Sequence, residues 1–328
     1  MDSNSHTNNP FTAADLPLDA QGRIYHLQIM PENLAQEILI VGDPGRAEMI
    51  GNTFLTGIEI DHEHRGLRTV TGKAQLVGTQ HIDFSPLRTT VTTSGMGTPS
   101  LEIILQELVA LNEIDFETRL PKDEYPDLHI IRVGTSGALQ KSTQLGTSII
   151  TSYSIGMDNS GLFYNISYPD EICRRLEKEL QELFMDQMPK DSRFYGKIQP
   201  YVSRANPVLV DAMHEAAEKL GVPAKVGLTV SCSGFFAAQG RDISRLHPTL
   251  SDLDQVLSEF DPGLNGQRIE NMEMEASFLN HFMNGLGYPG ASVCNAIANR
   301  QANTFDSNYQ ESIKNTINIA LLALSSAR

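Results

Sequence analysis

An α/β fold built on a parallel or mixed sheet is the architecture this sequence predicts, on two observations. Short apolar runs rich in isoleucine and valine, such as Glu37-Ile38-Leu39-Ile40-Val41 and Leu128 to Val133, read as strands buried on both faces. They alternate with segments whose apolar residues recur every three or four positions behind a capping residue, the pattern of helices laid against a sheet. The 328 residues, 40% hydrophobic and 20% charged, suffice for one large domain or two smaller ones.

In chain order, residues 1 to about 20 are rich in Asn, Ser and Thr and are expected to form a loose tail. His26 follows between Ile24 and Ile29; a lone histidine there is ordinarily a core or surface residue. The strand at 37–41 runs into Gly42-Asp43-Pro44-Gly45-Arg46, where Asp43 fits a helix N-cap and Pro44 the first helical position. An anion over the helix axis would be repelled by Asp43, so the Gly42 amide and the Arg46 side chain are the contacts an anion would find. Alone, the segment reads rather as a plain βα turn with a surface arginine. Asp61-His62-Glu63-His64-Arg65-Gly66 alternates acids and histidines, but no further ligand cluster with zinc spacing accompanies it, so no metal is expected. Arg88 to Thr93 reads as a strand ending in a glycine and hydroxyl turn, Ser94 to Ser100. Thr98 can cap, and Pro99 can start, a helix carrying Leu101, Ile104, Leu105, Leu108 and Val109. Asn112 to Pro126 is charged and reads as a surface insertion.

The centre of the chain is His129 to Leu139. Arg132 sits inside an apolar strand, where a guanidinium needs an anionic partner. Gly134 and Gly137 flank Thr135 and Ser136, which reads as a glycine turn with hydroxyl donors at the carboxyl end of a central strand. That describes an anion site; a structural Arg–carboxylate pair beside an ordinary turn fits as well. Gly146 to Thr151 is a further strand, and 155–205 reads as variable with a helix over roughly Asp170 to Met185. Asn206-Pro207 starts another helix, through Leu209, Met213 and Ala217 to Gly221. The strand Val226 to Ser231 leads to Phe235, Phe236, Gln239 and Arg241, stacking surface plus planar amide and guanidinium, which suits a flat heterocycle. Core phenylalanines beside solvated polar residues fit that segment equally. Glu273 and Glu275, around Met274, share a face if extended, as a glycosidase-like pair or as a grip on sugar hydroxyls. Val293 to Ala298 is the last strand, ending in Asn299-Arg300. The final helix, from about Tyr309, carries Ile313, Ile317, Leu321 and Leu324 on one stripe.

A formal charge of −15 disfavours duplex nucleic acid and anionic membranes. Cys173, Cys232 and Cys294 form no CxxC pair and suit free buried thiols in a reducing compartment. With no signal-like N-terminus and no 18-residue apolar run, a cytoplasmic protein with no nucleic-acid or membrane partner is expected.

In order, YHL, VGDPGRA, HRG, TSGMGTPS, IIRVGTSGALQ, TVSCSGFFAAQGRD, NMEMEAS and AIANR run from Tyr25 to Arg300. This set resembles the nucleoside phosphorylase family, and within it the bacterial uridine phosphorylase type. The resemblance implies a single three-layer α/β/α domain over 21–328, around a mixed, partly barrel-like sheet, assembled as a hexamer of dimers. It implies phosphorolysis of a pyrimidine nucleoside, uridine and phosphate giving uracil and ribose 1-phosphate, with inorganic phosphate as co-substrate and no cofactor. Phosphate would be held by Gly42, Arg46, Arg132 and Thr135, with Arg65 supplied by a neighbouring subunit. His26 would cross the dimer interface to the ribose, beside Glu273, Met274 and Glu275. Phe235, Gln239 and Arg241 would hold the base, with Arg300 behind Arg241. Arg132, Arg241 and Gln239 would carry catalysis. Gly66 stands where bacterial members carry a glutamate for a monovalent cation, so none is expected. A purine-cleaving relative would be expected to have an aspartate where this chain has Asn299. A nucleosidase would have little use for Arg46, Arg65 and Arg132 together, and a non-enzymatic nucleoside-binding relative should have lost them. Choice among uridine, deoxyuridine and thymidine, and the role of the 155–205 insertion, are not legible.

Overall fold

In the computed structural model, residues 9–79 and 81–327 are described. The strands and helices follow in order as β1 (Glu37–Val41), α1 (Pro44–Phe54), β2 (Leu55–His64), β3 (Leu67–Ala74), β4 (Arg88–Thr93), α2 (Thr98–Glu113), β5 (Ile114–Asp115), β6 (Leu120–Pro121), β7 (His129–Ala138) and β8 (Ser148–Met157). Then come α3 (Glu171–Gln187), β9 (Tyr201–Arg204), α4 (Pro207–Leu220), β10 (Ala224–Cys232), α5 (Leu253–Glu259), β11 (Ile269–Glu273), α6 (Ala276–Leu286), β12 (Gly290–Asn299), β13 (Thr304–Phe305) and α7 (Gln310–Ser326). All but β5 and β6 join one sheet in the order β13-β12-β8-β10-β11-β7-β1-β4-β3-β2, with β9 on β8. β12 also pairs with β7, so β7, β12, β8, β10 and β11 close into a ring while β1, β4, β3 and β2 stay open. The sheet is mixed: β1 is parallel to β4 and β7, whereas β11 meets β7 antiparallel.

Alternation along the strands sets the layers. Leu39, Val41, Ile131 and Val133 pack with α1, α4 and α7 on one face, whereas Ile38, Ile40 and Ile130 pack with α2 and α6 on the other. A third cluster joins β8, β10 and β11 to α3 and α5. This is the three-layer arrangement around a partly closed mixed sheet that the resemblance implied.

The helix starts follow local chemistry. Asp43 and Asn206 accept the main-chain N–H of Arg46 (3.1 Å) and Leu209 (3.2 Å), each with proline next in line. The final stripe is buried as expected, Ile313, Ile317, Leu321 and Leu324 all being inside.

Four local expectations change. The glycine turn at 134–137 is strand: β7 continues to Ala138, because β12 pairs with it throughout and β11 takes its end. β8 runs on to Met157, burying residues expected to be variable. The cap of α2 is Gly97, at φ 88°, with Thr98 the first helical residue. The loose tail ends earlier than residue 20: Leu16 is buried with Ile24, Leu27 and Ile29, and Leu18 bridges to Ile24. Residues 1–8 of that tail lie outside the described residues.

Candidate functional site

Arg132 is the hub. Its side chain is 5% exposed and lies between two buried carboxylates, 3.0 Å from Glu273 and in closer contact with Glu275. β11 ends at Glu273, the chain bends at Met274 and Glu275, the N-cap position of α6 (φ −143°, ψ −25°), and this bend, not a continued strand, leaves both carboxylates on one guanidinium. Gly134 makes room for it. A Cβ there would stand 2.2 Å from Arg132 Nη1 and 2.9 Å from Cys294 Sγ. Glu273 also takes the Ser231 hydroxyl and the N–H groups of Glu275 (2.9 Å) and Ala276 (3.0 Å). Glu275 takes the N–H of Gly97 at 2.6 Å. Burial and the adjacent Glu273 charge push the Glu275 carboxyl above its ordinary value, against the pull of Arg132. Burial works against the Arg132 charge, but Glu275 and Glu273 outweigh it and hold that charge in place. The Arg132 Nε–H has no acceptor among the described residues.

The residues that the resemblance assigns to phosphate, Arg65 apart, gather at the same carboxyl edge. Gly42 follows β1, and the Arg46 side chain, 9% exposed, reaches from α1 to the Val133 carbonyl of β7 at 3.4 Å. Asp43 stays 3.8 Å from the Arg46 guanidinium and points half into solvent. Thr135 is half-buried on β7, paired in register with Asn295. Met274 lies over Gly97, 3.9 Å from where a Cβ would stand.

A second wall follows β10. The Arg241 guanidinium stacks on the Phe235 ring at 3.9 Å and donates to the Gln239 amide oxygen at 2.6 Å. Phe236 meets Phe235 edge-on, and both rings are half exposed. Gln239 is buried. Arg300 donates to the Gln239 main-chain carbonyl at 3.0 Å and pairs with Asp254 at 3.3 Å, while its own N–H binds the Ala138 carbonyl at the end of β7. It therefore braces Gln239, not Arg241, and ties this wall to the central strand. Burial first, and then the Arg300 charge, lower the Arg241 pKa. Asn299 is turned inward, donating to the carbonyls of Gln140 (3.0 Å) and Thr143 (2.7 Å) and accepting from Ala302 N–H (2.9 Å).

His26 and Arg65 come together elsewhere. Arg65 turns between β2 and β3 at φ 55°, donates to the Tyr25 hydroxyl at 3.1 Å and lies over that ring. Tyr25 packs edge-on against His26, whose Nδ1 is 2.7 Å from Glu107. Register runs from Arg132 through Ile40 and Thr92 to Thr69 and His62. At roughly 4.8 Å per strand, Arg65 thus sits at the same sheet edge but about 14–19 Å from β7, beyond an arginine's own reach. One ring nitrogen of His62 meets the Gln28 side chain at 3.4 Å and one of His64 the His26 carbonyl at 3.1 Å. Among the described residues no group of three metal-capable side chains gathers.

Of the residues that shape this edge, Gly97, Ser231 and Cys294 read from sequence only as part of a turn, as a strand end and as a free thiol, and Asp254 and Glu107 were not singled out. Only Glu107 left a signal, an acid on the buried stripe of α2, where it accepts the N–H groups of His26 and Leu27 at 2.8 Å each.

Residues 37–325 match the model of the phosphorylase superfamily. A uridine phosphorylase of Thermococcus kodakarensis is 27% identical over 296 residues, covering 90% of this chain and 84% of the relative. A DeoD-type purine nucleoside phosphorylase of Alkaliphilus metalliredigens is 28% identical over 226 residues, 63% of this chain and 87% of its own length. Among solved structures, a Trypanosoma brucei nucleoside phosphorylase described as showing uridine phosphorylase activity superposes with a TM-score of 0.82 at 27% identity, over 95% of this chain and all of the other. A structure from work on the uridine phosphorylases of Phytophthora capsici shares the fold, with a TM-score of 0.67 at 18% identity over 96% of this chain and 98% of that one.

Proposed function

This chain belongs to the phosphorylase superfamily, and on that premise we propose that it cleaves a pyrimidine nucleoside with phosphate, turning uridine into uracil and ribose 1-phosphate. The observation that carries the reading is the buried Arg132, held by Glu273 and Glu275 at the sheet edge where Gly42 and Arg46 also lie. Phosphate entering beside Arg132 and Arg46, with the Gly42 amide and Thr135 as further donors, would compete with Glu275 for the guanidinium. Glu275 would then be released toward the ribose hydroxyls, with Met274 packing on the sugar and Glu273 holding the strand end.

Cleavage of the C1′–N1 bond puts its electron pair on the uracil and positive charge on the ribose. The phosphate stabilises that charge and then forms the new C1′–O bond. Arg241 and Gln239 supply fixed donors to the departing uracil, the preorganised kind of electrostatic stabilisation that is commonly the largest catalytic contribution. Phe235 packs on the nucleoside, and Arg300 keeps Gln239 in place. The reaction needs phosphate as co-substrate and no cofactor. A purine leaves best once its N7 is protonated, and Asn299 has neither a proton to give nor a free orientation.

His26 and Arg65 are read as contributions to a neighbouring subunit's site, in dimers assembled into a hexamer, because they gather away from Arg132. Three free buried thiols suit a cytoplasmic enzyme of pyrimidine salvage; among the described residues no helix is long and apolar enough to cross a membrane. The test is base release from uridine, thymidine, inosine and adenosine, each with and without phosphate. Fast phosphate-dependent release from uridine supports the reading, and equal rates on inosine overturn its base assignment.

A further inference from the structure

Asp158 lies just past β8, buried, and is used by none of the chemistry above. Its Oδ1 accepts the N–H groups of Ser160 (2.8 Å) and Gly161 (3.4 Å). Its Oδ2 accepts the hydroxyls of Tyr201 (2.8 Å) and Ser277 (3.0 Å). Among the described residues no Lys, Arg or His makes an ion pair with it; His281, packed against Tyr201, acts on it only through charge, so four hydrogen bonds are what hold this buried acid. A group so costly to bury is kept only where its bonds are all made. Tyr201 is built in with the same care. A Cβ on Gly156 or Gly161 would stand 2.3 or 2.6 Å from its ring, so the ring fits only over two glycines.

Followed outward, these bonds close a circuit through the candidate site. On one side the Ser277 N–H donates to Ser231 Oγ at 2.8 Å, and Ser231 donates to Glu273, which shares Arg132 with Glu275. On the other, Ser160 Oγ meets Thr98 Oγ1 at 3.1 Å, and the adjoining Gly97 N–H holds Glu275 at 2.6 Å. Ser277 belongs to the first turn of α6, just after Glu275, and Thr98 opens α2. Asp158 therefore fastens both helix starts that set where Glu275 stands.

We infer that Asp158 is a positioning residue for the reaction: by tying the starts of α2 and α6 together, it fixes the Glu275 carboxylate against the sugar. This rests on Glu275 gripping the ribose hydroxyls. Its readout is the ratio of kcat/KM for uridine to that for 2′-deoxyuridine, which lacks one of those hydroxyls, so lost stability or lost active protein cancels. Asp158→Asn should lower kcat/KM on uridine about 10–100-fold, the scale of an ångström of misplacement, and pull the ratio toward that of Glu275→Gln. The double variant Asp158→Asn/Glu275→Gln should have the same ratio as Glu275→Gln alone. Should Asp158→Asn fail to fold by circular dichroism, Ser160→Ala cuts the same circuit without disturbing the acid, with an expected loss of about three- to tenfold and the same shift in ratio. If Glu275→Gln changes the ratio while the folded variant keeps the wild-type value, the positioning role is wrong. If Glu275→Gln itself leaves the ratio unchanged, the sugar-gripping reading of Glu275 fails and takes the proposal with it.

Discussion

Replacing Arg132 by alanine strikes the site at its centre, and the structure gives two separable magnitudes. Catalysis should lose a charge-assisted contact in a water-poor site, about 3 kcal/mol or roughly 150-fold in kcat/KM. Folding should lose as well, since Glu273 and Glu275 have side chains only 1% and 4% exposed and would be left without their cation. Breaking a buried pair in this way costs about 3–5 kcal/mol. The second effect carries a pH signature. The Glu275 carboxyl is already pushed above its ordinary value of 4.5 by burial and by Glu273, and Arg132 is what opposes the push. Without Arg132 the folded protein holds a proton there more tightly than the unfolded chain does. Native-state proton uptake favours folding at low pH, and that help is lost as pH rises through the raised value. The stability deficit of Arg132→Ala should therefore be largest near neutral pH and shrink on acidification toward 5. Urea unfolding of both proteins at a series of pH values, beside uracil release, measures both quantities. A variant with activity within a few-fold of wild type, or with a deficit that grows on acidification, would refute this account of Arg132.

Three further outcomes follow from other parts of the site. Gly134→Ala would push a methyl into the space of the Arg132 guanidinium and should cost about 1–3 kcal/mol of stability, together with phosphate-dependent turnover, read by thermal unfolding and kinetics. Arg65→Ala and Arg132→Ala proteins, each strongly impaired alone, should regain activity when mixed and allowed to exchange subunits, because Arg65 sits on a different patch from Arg132; a fully active monomer by sedimentation would contradict this. Gln239→Leu should damage uridine turnover while the circular dichroism spectrum holds, since it removes complementary hydrogen bonds that can be worth roughly 10⁴-fold in base selectivity.

What was legible in the sequence was local or periodic. Asp43 with Pro44, and Asn206 with Pro207, mark helix starts because a cap needs only residues a few positions apart. Isoleucine pairs in β1 and β7 mark strands buried on both faces, and the stripe in α7 marks its contact side. The glycines at 134 and 137 misled because glycine serves both turns and close approach in a strand. Here Gly134 admits a guanidinium from two residues away, and only the pairing of β12 along β7 decides between the two uses. Arg132 was expected to need an anion, and the structure supplies two from a segment more than 140 positions later, a meeting that no local pattern records. The β2–β3 hairpin escaped notice because β2 is polar and largely exposed and β3, though mostly buried, is built on threonines, so neither carries the apolar signal of a buried strand. Asp158 was invisible for a similar reason: its partners come from β9, from α6 and from its own turn.

The central claim is that phosphate, not water, takes the sugar from the base at Arg132. Phosphorus NMR of uridine with this protein in phosphate buffer follows the fate of the phosphorus directly. The account predicts a new sugar phosphate ester resonance that rises in step with free uracil, and roughly 150-fold more slowly with Arg132→Ala. Uracil released together with free ribose, with the phosphate signal unchanged, would contradict it.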